Sequence, residues 1–493
     1  MASTSAFSSA DDVVDRRLTV VPQSATDASD LPVRYETARC CGWIQDRNFQ
    51  KVALQFPDEL LVDAAAVQWE IQKMVTASVF ILGDTSYGSC CVDEVAAEHY
   101  QADCIIHFGP TCLSPTRRLP VLYVLFAQPV DTQDAADQFQ VLFPDQQSKV
   151  ILMADTVYHH AVEPLFQRLK ESYTNVVSSY LRFPDSDSSS HDEIKEDSKD
   201  AVPQEERSSC DHCKCNRHFH LPQDSCLDEY SIFYIGSEGL ALTNLMMTLN
   251  RCAFFTYCPC SRTGRKETLN VNKALMKRYY MIERAKDASI VGIVVGTLGV
   301  AHTQDMISYL KTLLRSAGKK SYTFVVGKLN PAKLGNFMEV DVFVLVACPQ
   351  NSLLDSREFY RPIVTPFEMD VACNQAREWT GDYVTDFLQL LPGAAHHIPM
   401  QMAVPDSTDV SLISNKLRSM GQRTTAEGDD QGSTAVVLRS EAMAVTTVSA
   451  ETAGEFLSAR SWRGLERKLG ETPVEKAKEG RSGIALGYEN EPQ

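Results

Sequence analysis

Four cysteines of this chain occur where apolar, strand-like segments end, and thiolates in such places can hold a metal. Cys90 and Cys91 lie in the turn after one segment, Cys112 follows the next, and Cys348 follows another far along the chain. Sites in open parallel α/β sheets form at the carboxyl ends of strands, where loops converge. Because thiolate selects zinc or iron–sulfur clusters, we predict that these cysteines line one metal site.

Buried, inert thiols are the competing interpretation, because cysteine is among the most buried residue types. Three thiolates on a four-iron cluster would leave one iron open for a small ligand. Adjacent side chains project differently, so we expect only one of Cys90 and Cys91 to be a ligand. The sequence does not say which one.

Two further groups of cysteines are weaker candidates for chemistry. One is locally dense, but its spacing matches no usual zinc finger, so we predict incidental metal binding rather than a structural site. Its members are Cys210, Cys213, Cys215, His218 and His220. The other is Cys258-Pro259-Cys260, which we interpret as a turn because proline between the two thiols disfavours chelation.

A glycine-rich turn follows an apolar strand and precedes an amphipathic helix. In that position the backbone N–H groups of Gly296, Thr297 and Gly299 can bind a carboxylate or phosphate, and we predict them as cofactor-binding residues. The turn lacks the full dinucleotide-binding pattern, so a purely structural tight turn is an equal alternative.

Strand and helix patterns alternate along the chain, which predicts parallel sheets with crossover connections. An acidic residue followed by a buried strand and a Gly, Pro or Cys turn recurs near residues 103, 229 and 341. We therefore predict an α/β protein of three related parallel-sheet domains around a central site. The predicted segments are a disordered N-terminus at 1–31, domains at 32–148, 149–286 and 287–392, an acidic insertion at 184–226, and a linker with C-terminal extension at 393–493.

Composition excludes several classes of function. The formal net charge of −17 argues against a general nucleic-acid binder, which needs a basic field. No apolar run reaches the roughly 18 residues that span a bilayer, and the acidic N-terminus resembles neither a secretory nor a mitochondrial signal. We expect a cytoplasmic protein without membrane or nucleic-acid partners, whose 15 cysteines are free thiols or metal ligands.

An ordered set of motifs, over about residues 45–390 and in the C-terminal tail, resembles the eukaryotic diphthamide biosynthesis protein 2 family. The motifs are VALQFPDELL, FILGDTSYGSCCVDE, IHFGPTCLSP, GTLGV, GKLNPAKLGNF, VDVFVLVACPQNSLLDS and RSWRGLE…TPV…GRSGIA. This family is one subunit of the two-subunit 2-(3-amino-3-carboxypropyl)histidine synthase. The resemblance implies a 4Fe–4S cluster that cleaves S-adenosylmethionine by a non-classical radical reaction. The 3-amino-3-carboxypropyl group goes to a histidine of translation elongation factor 2, the first step of diphthamide biosynthesis.

The related archaeal enzymes are homodimers of three-domain subunits, with one cluster cysteine from each domain. The resemblance places the first of these cysteines at Cys90 or Cys91 and the third at Cys348. The second has no clear counterpart, because the chain runs through residues 178–184 into the acidic insertion, and Cys112 could supply the third thiolate instead.

This departure implies a subunit without catalytic residues of its own, whose cluster keeps that of its partner reduced. The implied partners are the catalytic diphthamide biosynthesis subunit 1 in a heterodimer, electron-donor proteins of the pathway, and elongation factor 2 as substrate. S-adenosylmethionine would be bound by the partner. The alternatives are a cluster-free scaffold that only stabilises the catalytic subunit, and an independent S-adenosylmethionine enzyme.

Overall fold

The computed structural model describes residues 26–27, 29–83, 88–183, 209–222, 225–267, 271–327, 329–354, 358–401, 407–413, 415, 417–420, 483–484 and 487–488. The predictions for residues 1–25, for the acidic segment 184–208 and for most of the C-terminal extension lie outside these residues. The chain divides into two compact units, Met1–Gly428 and Asp429–Gln493. In the smaller unit, the described residues form one antiparallel ribbon of Gly483–Ile484 with Gly487–Tyr488.

Four parallel strands form the first sheet of the larger unit, in the order second, first, third, fourth. The third and fourth strands are buried along their whole length, as is typical of parallel strands covered on both faces. The elements are α1 (Leu31–Arg34), α2 (Thr37–Asp46), β1 (Lys51–Gln55), α3 (Leu61–Met74), β2 (Ser78–Ile81), α4 (Glu94–His99), β3 (Cys104–Phe108) and β4 (Val121–Val124).

The second sheet repeats this order with an added antiparallel edge strand, and a small antiparallel sheet is inserted into its sequence. The elements are α5 (Thr132–Leu142), β5 (Val150–Ala154), α6 (Val162–Lys170), β6 (Val176–Ser178), β7 (Tyr180–Leu181), β8 (Ser209–Lys214), β9 (Arg217–Pro222), β10 (Ser231–Ile235), α7 (Leu240–Thr248), β11 (Phe254–Cys258) and β12 (Thr263–Lys266). Helix α5 precedes the predicted boundary at residue 148, yet its Phe139 lies in the core of this sheet. The domain boundaries stay predictions.

The third sheet again has the order second, first, third, fourth. Its first strand has no exposed residue, and the helix after it buries one apolar face. The elements are α8 (Val271–Asp287), β13 (Ile290–Val295), α9 (Thr303–Ser316), β14 (Lys320–Val325), α10 (Pro331–Gly335), β15 (Val342–Val346), β16 (Ile363–Val364), α11 (Pro366–Cys373), β17 (Ser407–Val410) and β18 (Leu417–Met420), of which the last two form a separate antiparallel pair.

The shared strand order confirms the predicted fold class of three related parallel α/β sheets. The repeated acidic residue has the same role in the first and third sheets. Asp103 Oδ2 accepts hydrogen bonds from the backbone N–H groups of Gln50 and Lys51, both at 2.8 Å. Asp341 Oδ2 accepts those of Ser289 and Ile290, both at 3.0 Å. In both sheets, the carboxylate that precedes the third strand thus ties that strand to the start of the first strand.

The structure adds detail to two predicted segments, whose bounds stay predictions. Residues 209–222, within the predicted insertion 184–226, form the β8–β9 hairpin. In β9, alternation places Phe219 and Leu221 on one face, and both are fully buried against the second sheet. The predicted disorder also ends before residue 31, because Thr26 hydrogen-bonds Asp63 and Leu31 is buried. Among the described residues, no helix is long and apolar enough to cross a bilayer.

Candidate metal centre

The four cysteines predicted as metal ligands meet in one buried group. The sulfurs of Cys90, Cys91, Cys112 and Cys348 all lie within 4.8 Å of one another. The Cys90 and Cys348 sulfurs are 3.7 Å apart, those of Cys112 and Cys91 are 3.9 Å apart, and those of Cys90 and Cys91 are 4.0 Å apart. Both members of the adjacent pair therefore reach the group, and the expectation that only one of them is a ligand stays a prediction.

The carboxyl ends of two sheets bring these thiols together. Cys112 follows β3 of the first sheet, and Cys348 follows β15 of the third. The turn after β2 carries Cys90, whose carbonyl accepts hydrogen bonds from the Cys112 N–H at 3.1 Å and from the Thr111 hydroxyl at 3.4 Å. The first sheet thus presents three thiols at one edge, facing the single thiol of the third.

Gln55, at the end of β1, fixes the loop that carries Cys91. Its side chain is fully buried; Nε2 donates to the Cys91 carbonyl at 2.7 Å, and Oε1 accepts from the Asp93 N–H at 2.9 Å. The sequence analysis missed this residue. Its only signal is an isolated amide at the end of the apolar run KVALQF.

Asn351 contacts two of the sulfurs directly. Its Nδ2 lies 3.3 Å from the Cys90 sulfur and 3.5 Å from that of Cys348, and can donate to a thiolate at either position. Gly88 makes room for this amide, because a Cβ there would overlap Asn351 Nδ2. Sequence reasoning missed both roles, although both residues lie inside quoted motifs.

The surroundings shift the pKa values of three of these thiols, and not all in the same direction. Hydrogen bonds with Cys348, Cys90 and Cys91 lower the pKa of Cys112 well below its ordinary value, although burial opposes this. The pKa values of Cys90 and Cys91 are raised well above the ordinary value, first by their hydrogen bonds with Cys112. Metal ligands must be thiolates, so binding a metal here requires Cys90 and Cys91 to lose protons that their surroundings favour.

The donor set fits a thiolate-bound metal. Four buried sulfurs are the ligand set of tetrahedral zinc and of iron–sulfur clusters, and no other group of three or more His, Cys, Asp or Glu side chains in the described chain is arranged to hold a metal. The cysteines and histidines of the β8–β9 hairpin, as far as their side chains are described, therefore form no such group. Cys258 and Cys260 lie at the turn between β11 and β12, as expected.

The β8–β9 hairpin covers one side of the thiol group. Asn216, in its turn, donates from Nδ2 to the carbonyls of Cys112 at 2.8 Å and Leu113 at 3.1 Å. The second sheet's region thus reaches the metal site through this hairpin, which lies in the predicted acidic insertion 184–226.

The predicted Gly296–Gly299 turn packs against the cysteine-bearing loop. Thr297 is buried, and a Cβ on Gly299 would overlap the Val92 carbonyl, one residue after Cys91. Gly296 lines a cavity of about 290 Å³ together with Gly88 and Asn351. Cofactor binding by this turn stays a prediction. Its packing against the Cys91 loop is a structural role that the turn has in addition.

Gly299→Ala is expected to lower the free energy of unfolding by about 1–3 kcal/mol, because the new methyl group meets a backbone carbonyl that must move. The displaced loop carries Cys90 and Cys91, so iron content should fall as well. Urea unfolding and iron analysis measure both effects. Gly42→Ala is the control: nothing lies within 4 Å of its Cβ position, and alanine inside α2 should stabilise by about 0.5–1 kcal/mol. Equal stability of Gly299→Ala and the parent would contradict this contact.

A cavity of about 480 Å³ lies between the hairpin and the third sheet, and Asp386 is in its wall. Burial raises the pKa of Asp386 to about 6; the charge of Cys112 adds to this, and a hydrogen bond from the Leu388 N–H opposes it. The folded chain therefore binds this proton more tightly than the unfolded chain. Between about pH 4 and pH 6, rising pH removes the proton and costs stability.

Asp386→Asn removes that cost, so the variant is expected to be more stable than the parent at pH 7.5. A shift of two pKa units corresponds to about 3 kcal/mol, and partial exposure of Asp386 reduces the expected gain to about 1–2 kcal/mol. Urea unfolding from pH 4 to 8 should show the two stabilities converging at low pH. Asp382→Asn, which removes an exposed ion pair with Arg251 on the same cavity, should bring no gain of stability at pH 7.5. Parallel curves for Asp386→Asn and the parent would refute the assignment.

Comparisons with known proteins agree over nearly the whole chain. A family model described as "Putative diphthamide synthesis protein" matches residues 56–384. The chain is 50 % identical to 2-(3-amino-3-carboxypropyl)histidine synthase subunit 2 of Danio rerio, over 99 % of this chain and 98 % of that protein. The proteins of the same name from Gallus gallus and Homo sapiens are 49 % and 38 % identical, over 99 % of this chain in each case and 98 % and 99 % of those proteins.

A solved structure shares the fold. The crystal structure of Dph2 from Pyrococcus horikoshii with a 4Fe-4S cluster aligns with a TM-score of 0.51 at 18 % identity, covering 74 % of this chain and 96 % of that one. At this identity the alignment shows a common architecture.

Proposed function

This chain belongs to the diphthamide synthesis protein family, in the branch named 2-(3-amino-3-carboxypropyl)histidine synthase subunit 2, and we propose that it is the iron–sulfur subunit of that two-subunit enzyme. The enzyme transfers a 3-amino-3-carboxypropyl group from S-adenosylmethionine to a histidine of translation elongation factor 2. The observation that carries the proposal is the buried group of four thiols drawn from two sheets.

Cys90, Cys91, Cys112 and Cys348 would hold the cluster, which when bound supplies one-electron reduction. Asn351 would donate a hydrogen bond to the sulfurs of Cys90 and Cys348, and Gln55 would hold the Cys91 loop in place. The β8–β9 hairpin would exclude water from the Cys112 side. Hydrogen bonds to the sulfurs and exclusion of solvent are two of the factors that set the potential of such a centre.

The presence of a fourth thiol favours an accessory role for this subunit over a catalytic one. If all four sulfurs bind iron, each iron of a four-iron cluster has a protein ligand and none is open to S-adenosylmethionine. The cluster would then pass electrons to the partner and keep the partner's cluster reduced. The catalytic subunit 1 would bind S-adenosylmethionine, electron-donor proteins would supply this chain, and the reaction would take place in the cytoplasm.

A single metal ion is the second candidate, and the sulfur spacing favours it. Zinc–sulfur bonds of about 2.3 Å in a tetrahedron place sulfurs about 3.8 Å apart, close to the 3.7, 3.9 and 4.0 Å found here. A chain that holds such an ion has no redox role and acts as a scaffold that stabilises its catalytic partner.

Complementation of cells that lack the native protein separates the two roles. The chain with Cys112 and Cys348 both replaced by serine should leave the elongation factor 2 histidine unmodified, as read by mass spectrometry, while still co-purifying with subunit 1. Wild-type levels of modification would support the scaffold and overturn the electron-transfer role. Cleavage of S-adenosylmethionine by the purified chain alone would show instead that it is an independent enzyme.

A further inference from the structure

Arg217, on strand β9, is a buried cation whose hydrogen bonds with the described residues all go to main-chain carbonyls. It is 3 % exposed. Its Nε and Nη2 donate to the Ala154 carbonyl at 2.9 and 2.6 Å, and Nη1 donates to the Cys215 carbonyl at 3.1 Å. Among the residues that the structure describes, no carboxylate forms an ion pair with this guanidinium.

A small cavity connects Arg217 to the metal site. Its volume is about 20 Å³, roughly that of one water molecule, and its walls include Arg217, Cys112, Asn244 and Pro349. Asn244 is 2 % exposed; its Nδ2 donates to the Gln350 carbonyl at 2.9 Å, and its Oδ1 has no hydrogen-bond partner. A buried cation and Cys112, a proposed ligand, therefore line the same one-water space.

Two half-buried acids occur in this neighbourhood, Asp155 and Asp386, and neither forms an ion pair with Arg217. Asp155 accepts a hydrogen bond from the Thr156 N–H at 2.7 Å, and Asp386 accepts one from the Leu388 N–H at 3.0 Å. A buried charge without a counter-charge is strongly disfavoured. A thiolate-bound iron–sulfur centre carries net negative charge and becomes more negative on reduction, so it provides the missing anion.

We infer that Arg217 is an electrostatic positioning residue of the metal centre, whose fixed positive charge stabilises the reduced state and raises its reduction potential. The inference rests on the proposed function, because it requires an iron–sulfur centre on the four thiols. Arginine suits this role because it stays charged at every physiological pH, and the low dielectric of the interior preserves its field.

The test is a redox titration of the anaerobically reconstituted full chain, followed by electron paramagnetic resonance. Arg217→Gln should shift the midpoint potential to more negative values, and Arg217→Lys, which keeps the charge, should restore it towards that of the parent. Arg251→Gln, at an exposed position on the neighbouring cavity, should leave the potential unchanged.

Asn244→Asp is the second variant, for the case that Arg217→Gln does not fold. It keeps the guanidinium bonds and adds a negative charge on the same cavity, so it too should shift the potential negatively. A cluster signal with the parent potential in both Arg217→Gln and Asn244→Asp would overturn the inference alone. A wild-type chain without any cluster signal would overturn the proposed function, and this inference with it.

Discussion

Cys348→Ser is expected to abolish iron binding, from about four iron atoms per reconstituted chain to almost none. The Cys348 sulfur is the only member of the thiol group that the third sheet contributes, and it lies 3.7 Å from that of Cys90. A serine hydroxyl in its place is a hard donor that stays protonated and binds iron poorly. Iron and sulfide analysis after anaerobic reconstitution measures the loss.

Cys373→Ser is the matched control for this prediction. Cys373 is likewise a buried thiol of the third sheet's region, at the end of α11, but it does not belong to the thiol group. Its serine variant should bind as much iron as the parent, which separates loss of a ligand from loss of a buried thiol. Full iron content in Cys348→Ser would contradict the assignment of the site.

Glu368→Ala is expected to lower the free energy of unfolding by about 3–5 kcal/mol. The Glu368 carboxylate is fully buried and binds Arg278 through two contacts of 2.5 Å. It also accepts hydrogen bonds from the Tyr383 hydroxyl and from the Thr365 N–H, both at 2.9 Å. The bond from Thr365 completes the capping box of α11. Removing it leaves the buried guanidinium without its counter-charge. Urea unfolding of the purified chain measures the cost.

Glu98→Ala is the control for that pair. Glu98 forms an ion pair with Arg118, but both side chains are about half exposed, so its removal should cost less than about 1 kcal/mol. Similar losses in the two variants would mean that burial does not determine the strength of these ion pairs.

Sequence pattern predicted the sheets because each strand carries its own signal. The apolar runs that became β1, β3, β13 and β15 are short, continuous and separated by helical segments, which indicates buried parallel strands. The four cysteines were predictable for the same reason: carboxyl ends of parallel strands converge whatever the distance along the chain.

The β8–β9 hairpin escaped prediction because its sequence is polar and contains no continuous apolar run. Cysteines, histidines and charged residues dominate 209–222, and only the alternation that places Phe219 and Leu221 on one face indicated a strand. Whether such an alternating segment forms a strand depends on its packing against the second sheet. The local sequence does not contain this information.

The polar residues that position the site were not predicted from the sequence, for a different reason. Gln55 contacts the Cys91 loop 36 residues away, Asn351 joins the Cys348 sulfur to that of Cys90, 261 residues away, and Arg217 acts across a cavity, so no local spacing reports their roles. The joint approach of Cys90 and Cys91 likewise depends on the conformation of one turn, which residue types alone leave open.

Electron paramagnetic resonance of the anaerobically reconstituted, reduced wild-type chain tests the central claim most directly. Our account predicts the signal of a reduced four-iron cluster, present in the parent and in Cys373→Ser and absent in Cys348→Ser. A reconstituted chain that is silent and contains zinc in place of iron, or a signal that persists in Cys348→Ser, would contradict it.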